Sequence, residues 1–193
     1  RGVGVTVSEE QARLARARCE GMPVEIRLED YRDLQGESFD HVVSVGMFEH
    51  VGPKNYETFF DVVRRCLKPG GLFLLETIGN ESTSVTTDPW IDKYIFPNGT
   101  IPSVVQLAEA LGERFVIEDW HNFGPDYDRT LMAWYRRFVD RWEALKGRYD
   151  ERFYRMWTFY LLSCAGSFRA RHNQNWQLVL SPGGVGGDYR SVR

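Results

Sequence analysis

The sequence predicts an α/β domain built on a largely parallel sheet, and three observations carry that prediction. Through the first half of the chain, short aliphatic runs alternate with stretches of helical periodicity; strands separated by helices pair in parallel through right-handed crossovers. The run His41-Val42-Val43-Ser44-Val45 is almost continuously apolar, which suits a parallel strand covered on both faces. The length, 193 residues, suffices for one domain with its own core.

The elements follow in order. Val3–Val7 reads as a short strand. Ser8 caps the helix after it, and Gln11, three residues on, completes a capping box; that helix runs to about Glu20 and stops at Gly21. Val24, Ile26 and Leu28 alternate on one face of a second strand, and Asp40–Val45 forms the third. Gly52-Pro53 opens the next helix, with proline in a tolerated first-turn position. Tyr56, Phe59, Phe60, Val63 and Leu67 repeat there at helical spacing and should face the sheet. Lys68-Pro69-Gly70-Gly71 stops this helix, and Leu72–Leu75 is the fourth strand. From Asn80 to about Thr100 regularity lapses in a long aromatic-bearing loop, a kind more often functional than idle. A short helix over 102–111 and a strand over Phe115–Asp119 come next. Two aromatic-striped helices follow, one carrying Leu131, Trp134, Tyr135, Phe138 and Trp142, the other Phe153, Trp157, Tyr160, Leu161, Cys164 and Phe168. Most of these side chains belong in the core, with a few left to line a pocket. Trp176–Leu180 is a last strand and 182–193 a glycine-rich tail.

Composition narrows the class. A net charge of −3, 42% hydrophobic and 26% charged residues are ordinary for a globular domain, and no basic excess points to nucleic acid. No apolar run approaches the ~20 residues needed to cross a bilayer. The chain starts at Arg1 with no visible signal peptide, so the expectation is a cytoplasmic protein whose true start lies upstream. Cys19, Cys66 and Cys164 are odd in number and lack metal-ligand spacing; they are expected to be reduced thiols, and no metal site is expected.

Several residues stand where such folds do chemistry. Thr6, Ser8 and Gln11 occupy a strand-to-helix turn, where polar side chains and helix amides either meet a ligand or merely cap the helix. Asp30-Tyr31 follows the second strand and is either a ligand-facing pair or a surface turn. Gly46 ends the third strand, where absence of a side chain lets backbone approach a ligand. Glu49 comes just after that strand; a free carboxylate there is costly unless paired, so it either caps the helix near Pro53 or holds something buried. Tyr127 is either a packed aromatic or a phenol that donates to an anion without adding net charge.

Four segments resemble the signatures of the cyclopropane-fatty-acyl-phospholipid synthase family: Val45-Gly46-Met47-Phe48-Glu49-His50-Val51-Gly52-Pro53-Lys54-Asn55-Tyr56, Asp88-Pro89-Trp90-Ile91-Asp92-Lys93-Tyr94-Ile95-Phe96-Pro97-Asn98-Gly99, Glu118-Asp119-Trp120-His121-Asn122-Phe123-Gly124, and Leu131-Met132-Ala133-Trp134-Tyr135. The resemblance runs in one order from about Val5 to Leu180. It implies a class I S-adenosylmethionine-dependent methyltransferase fold, Rossmann-like, with a seven-stranded sheet whose last strand is antiparallel. The family's glycine-rich first motif would precede this chain, so the sheet is expected to be incomplete at its N-terminus and the fragment alone inactive. Residues 1–79 would be the rest of the cofactor-binding half, 80–180 the substrate side and 181–193 the tail.

The resemblance also assigns roles. Thr6, Ser8 and Gln11 would contact the ribose and amino-acid part of S-adenosylmethionine. Asp30 would accept the adenine amino hydrogens beside Tyr31, although the family often has a Trp-Glu-like pair where this chain has Tyr31-Arg32. Gly46 would lie against the cofactor. Methyl transfer to an alkene leaves a carbocation on the acyl chain, and a base must remove a proton for the ring to close. The resemblance implies a bound bicarbonate as that base, with Glu49 as its carboxylate ligand and Tyr127 and the Ile78 backbone amide as donors; Cys164 would pack nearby. Here the chain departs from the pattern: Glu76 stands where the family usually has His. Three roles are open to Glu76, namely a protonated donor, a base in place of bicarbonate, or a mark of altered chemistry.

The expected function is therefore methylene transfer to cis double bonds of phospholipid acyl chains, giving cyclopropane fatty acids. The alternatives are a methyltransferase that leaves a methyl or methylene branch, and an inactive lipid-binding or dimerising fragment. The substrate implies peripheral attachment at the inner face of the membrane, through Arg64, Arg65 and Lys68 or through Arg136, Arg137 and Arg141, and the family suggests a homodimer.

Overall fold

A computed structural model describes residues 1–187 and 189–192. Strand β1 (Gly2–Thr6), helix α1 (Glu9–Arg18) and strand β2 (Val24–Leu28) form one parallel unit. A 3-10 turn, Tyr31–Asp33, leads to β3 (Phe39–Val45), two further 3-10 turns (Phe48–His50 and Pro53–Asn55), α2 (Tyr56–Cys66) and β4 (Leu67–Asn80). Then come α3 (Pro89–Tyr94), α4 (Val104–Leu111), β5 (Val116–Asn122), α5 (Gly124–Leu145), α6 (Glu151–Arg169) and β6 (Asn173–Ser181).

The expected single seven-stranded sheet is, among the described residues, six strands in two sheets: β1-β2, and β3-β4-β6-β5. β3 and β4 are parallel, whereas β6 runs antiparallel to both β4 and β5, as the last strand was expected to do. The expectation that the run 41–45 is covered on both faces is corrected: Val43 and Val45 are 64% and 60% exposed. The reason is pairing. β3 is hydrogen-bonded to β4 alone, and β1 to β2 alone, so each keeps an open edge among the described residues.

Local details shift for physical reasons. Ser8 caps α1 by accepting from the Gln11 amide, but the Gln11 side chain accepts from the Thr6 hydroxyl instead of closing the expected capping box. Gly52-Pro53 opens a 3-10 turn, and α2 starts only at Tyr56. β4 is far longer than Leu72–Leu75 because it is the inner strand, paired by β3 on one edge and β6 on the other. The irregular stretch after Asn80 contains α3, whose start is set by Asp88 accepting from the Trp90 and Ile91 amides and by Pro89 in the first turn. A true capping box appears at Ser103 and Gln106, opening α4. Of the expected tail, Asp188 and Arg193 lie outside the described residues.

Two cores result. Phe48, Tyr56, Phe59, Phe60 and Val63 pack on Phe73, Leu75, Leu107, Trp176 and Leu178; Leu131, Phe138, Trp142, Leu161, Ala165 and Phe168 join α5 to α6. β4 divides its side chains between them. Phe73, Leu75 and Thr77 are at most 1% exposed on the first face, while alternation puts Glu76 and Ile78 on the other, where Ile78 meets the second core. This alternation positions the candidate site.

One contact within the sheet is especially tight. A Cβ on Gly79 would stand 2.1 Å from the Trp176 ring, so the ring lies flat on the glycine. Gly79→Ala should cost roughly 2 kcal/mol by overpacking, lowering Tm by about 4–8 °C in a thermal melt; an unchanged Tm would mean that the ring steps aside freely.

Candidate active site

The site begins where β3 ends. Gly46 turns out of the strand with φ of +62°, a conformation natural to glycine, and its amide donates to the Glu76 carbonyl at 3.1 Å. Phe48, fully buried and stacked on Tyr56 with ring centroids 4.3 Å apart, anchors the 3-10 turn that follows. That anchor sends Glu49 toward β4. Glu49 Oε1 accepts the Ile78 amide at 2.8 Å, and its carbonyl accepts the Thr100 amide at 2.8 Å. Oε2 is buried without a partner. Burial pushes the Glu49 carboxyl above the usual carboxylate range, against the opposing pull of the Ile78 amide and, more weakly, of its own amide, the Thr77 hydroxyl and the charge of His50.

Tyr127 sits in the first turn of α5, behind Gly124-Pro125. Its ring packs on Phe168 at 4.9 Å. Burial raises its phenol pKa, and the negative charges of Glu76 and then Glu49 raise it further. Tyr160 and Cys164, one turn apart on α6, complete the wall. Burial raises Tyr160, and burial pushes the Cys164 thiol up to about 11, which keeps it a protonated packing group and not a nucleophile. Glu76 Oε2 accepts from Gln177 Nε2 at 2.8 Å, and Oε1 from Asn175 Nδ2 at 3.4 Å.

Thus the structure ties Glu49 to the Ile78 amide, packs Ile78 and Tyr127 against one core cluster, and sets Glu76 two residues before Ile78 on the same strand. It corrects the part expected of Ile78: its amide is already given to Glu49, because β4 runs directly beside the turn, and so it fixes the carboxylate. Sequence reasoning missed Tyr160, Asn175 and Gln177. The signal for the last two was polar residues alternating with Trp176, Leu178 and Leu180 along one strand.

The remaining candidates lie at the carboxyl ends of the strands, where ligands bind in parallel α/β sheets. Thr6 ends β1; its hydroxyl donates to Gln11 Oε1 at 2.8 Å and accepts the Ser8 amide at 3.2 Å. Asp30, just beyond β2, accepts from Arg32 at the amide (3.0 Å), Nε (2.9 Å) and Nη2 (2.7 Å). Arg32 thus engages the carboxylate expected to accept the adenine amino hydrogens, and holds it below its ordinary pKa. Tyr31 is half-buried with its ring edge-on to Phe59 at 5.5 Å. Among the described residues no cluster could hold a metal, and no helix is long and apolar enough to cross a membrane. The basic clusters differ: Arg65 donates to the Leu34 carbonyl and Lys68 pairs with Asp40, whereas Arg136, Arg137 and Arg141 are exposed on α5.

Comparison with known proteins matches residues 1–178 to the mycolic acid cyclopropane synthetase family. The cyclopropane-fatty-acyl-phospholipid synthase of Escherichia coli (strain K12) is 61% identical over 181 residues, covering 94% of this chain and 47% of that protein. The tuberculostearic acid methyltransferase UfaA1 of Mycobacterium tuberculosis is 37% identical over 187 residues, covering 91% of this chain and 44% of that protein. The chain therefore spans about half the length of the curated relatives it matches. Among solved structures, the cyclopropane synthase MmaA2 from Mycobacterium tuberculosis superposes with a TM-score of 0.83 at 26% identity, over 92% of this chain and 68% of that one. The mycolic acid cyclopropane synthase CmaA1, complexed with SAH and CTAB, gives the same TM-score, identity and coverage.

The buried Glu49 makes a stability prediction. Its folded pKa is raised, so its contribution is present below the unfolded pKa and is lost as pH rises through the folded value. Glu49→Gln keeps an acceptor for the Ile78 amide and removes the buried charge. The variant should match wild type near pH ~4 and melt higher at pH ~7, by roughly 2–4 °C for each kcal/mol gained. A Tm difference that is the same at both pH values would contradict this environment for Glu49.

Proposed function

This chain belongs to the mycolic acid cyclopropane synthetase family, and on that premise we propose that it converts cis double bonds of phospholipid acyl chains into cyclopropane rings. One observation carries the reading: a buried carboxyl with one oxygen tied to Ile78 and the other unpartnered, beside a buried phenol. Such a pair awaits a small polar ligand that both accepts and donates hydrogen bonds.

Bicarbonate fits that description. Glu49 Oε2 would accept its O–H, and the Tyr127 hydroxyl would donate to its anionic oxygens. Held there, bicarbonate supplies the base for proton removal. S-adenosylmethionine, when bound, supplies the electrophilic methyl group. For that cofactor the fit is to the carboxyl ends of three strands, with Thr6, Ser8 and Gln11 at one, Asp30 and Tyr31 at the next and Gly46 at the third. Residues 1–79 serve the cofactor and 80–180 the substrate. Phe168, Tyr160 and Tyr127 line an aromatic wall that keeps water from a carbocation on the acyl chain and stabilises it through ring faces. The exposed Arg136, Arg137 and Arg141 suit attachment to anionic lipid at the inner membrane face, with the whole protein a cytoplasmic, peripheral homodimer. A second reading is a methylene branch, formed when the same carbocation loses its proton without closing the ring, or a methyl branch, which needs a further hydride donor. Glu76 bears on it: both of its oxygens already accept, so it adds no donor to hold the base at the geometry ring closure needs.

The test is lipid NMR on a host lacking cyclopropane lipids that expresses the native protein containing these residues. Ring protons should appear, and Glu49→Gln should lower their formation about 100-fold or more without loss of soluble protein. Branch signals in place of ring signals would select the second reading. Unmodified lipid, from a protein that is folded and binds cofactor, would falsify both.

A further inference from the structure

A groove opens between α3 and α6, outside the site described above. It encloses about 320 Å³ and is lined by Trp90, Tyr94, Arg152, Arg155, Met156 and Phe159. Trp90 meets Phe159 edge-on, with ring centroids 4.6 Å apart. The groove faces solvent: Tyr94 is 37% and Phe159 54% exposed. Exposed apolar surface with a polar rim marks a binding surface more often than an idle one. The rim here is cationic and uncommitted. Among the described residues, neither the Arg152 nor the Arg155 guanidinium makes a hydrogen bond or an ion pair. Two guanidinium groups one helical turn apart suit a phosphate, whose oxygens they can grip in parallel pairs. Aromatic floor and paired cations together fit an amphiphile that carries a phosphate at one end.

The groove also leads to the candidate site. Arg152, Met156, Tyr160 and Cys164 recur every four residues, so they form one ridge of α6. At its inner end Tyr160 and Cys164 pack on the same core as Tyr127. Phe96, just past α3, borders this path: its ring meets Tyr160 at 5.9 Å and His50, the neighbour of Glu49, at 5.8 Å. The lengths agree as well. Arg155 to Cys164 spans about 14 Å of helix axis. In a bilayer a mid-chain double bond lies about 8 Å inside the hydrocarbon region, and the headgroup layer adds roughly 5–8 Å. We infer that Arg152 and Arg155 hold the headgroup phosphate of the phospholipid, with the first part of its acyl chain laid along Trp90, Met156 and Phe159. This inference rests on the phospholipid reading proposed above and names where that lipid is gripped.

The experiment compares two lipids with the same cis-unsaturated chains, a phosphatidylcholine and the corresponding diacylglycerol. Each is presented in non-ionic detergent micelles to the native protein containing these residues. Such micelles carry no net charge, so general attraction of basic residues to an anionic surface plays no part. Arg152→Gln combined with Arg155→Gln should raise half-saturating phosphatidylcholine about tenfold, with half-saturating S-adenosylmethionine and turnover at saturating lipid unchanged. Half-saturating diacylglycerol should not move, since that lipid offers no phosphate. An equal loss on both lipids indicates a merely structural role and overturns the inference. So does a variant that keeps the wild-type affinity for phosphatidylcholine, which would leave the groove to another segment of the protein or to a partner. Were diacylglycerol not turned over at all, a fall in turnover at saturating phosphatidylcholine would be the overturning sign of a structural role. Both side chains are exposed, so the variant should fold; if it does not, Arg155→Gln alone provides the same comparison. Wild type that modifies neither lipid, while folded and binding cofactor, overturns the phospholipid reading itself and is thereby distinct from a failure confined to the groove.

Discussion

The Glu49 carboxyl is held in a place where water does not reach one of its oxygens, and the geometry around it follows from that. One oxygen is satisfied by the Ile78 amide of the inner strand; the other has no partner. A stable fold seldom leaves such an atom unpaired, and replacing the acid by an apolar group would remove the cost. The structure instead spends several features on keeping it there. Phe48 anchors the turn from below, Gly46 permits the sharp exit from β3, and the Thr100 amide clamps the Glu49 carbonyl. A costly group kept under so many restraints is what the proposed site is built on.

Around this carboxyl the α5–α6 pair supplies what the sheet cannot. The sheet delivers acceptors, Glu49 and Glu76, while the helices deliver the Tyr127 phenol, Tyr160 and the protonated Cys164. Donor and acceptor halves thus come from different layers. Their meeting depends on α5 packing against β6 and on the antiparallel return of β6 beside β4. The same return brings Asn175 and Gln177 onto Glu76.

The residues proposed for the cofactor lie toward the open edges of the two sheets. They end three strands, but β1 and β3 each present an open edge among the described residues, and Val43 and Val45 stand exposed in a run composed for burial. Asp30 is similarly turned inward onto Arg32. A ligand recruiting that carboxylate has to displace a charge-assisted pair.

Periodicity and punctuation made most of the elements legible. The alternation of short strands and helices, the Ser8 cap, the stripe Tyr56, Phe59, Phe60 and Val63, and the motif around Glu49 are local patterns, and local backbone sterics and amphipathicity suffice to read them. The site needed more. Glu49, Glu76, Tyr127 and Gln177 are spread over 128 positions of sequence separation (49 to 177) and are joined only by strand register and by the packing of the turn and of α5 on the sheet. Nothing in composition could show that the Ile78 amide was already given to Glu49, that Gln11 would choose Thr6 over a reciprocal cap, or that Arg32 would close Asp30. Each of these is a competition between several nearby partners, and distance decides it. Residue type and spacing determined which groups this protein could use; which of them meet, and which oxygen is left without a partner, was decided by the packing of helices against a sheet, because hydrogen bonds form only within about 3 Å.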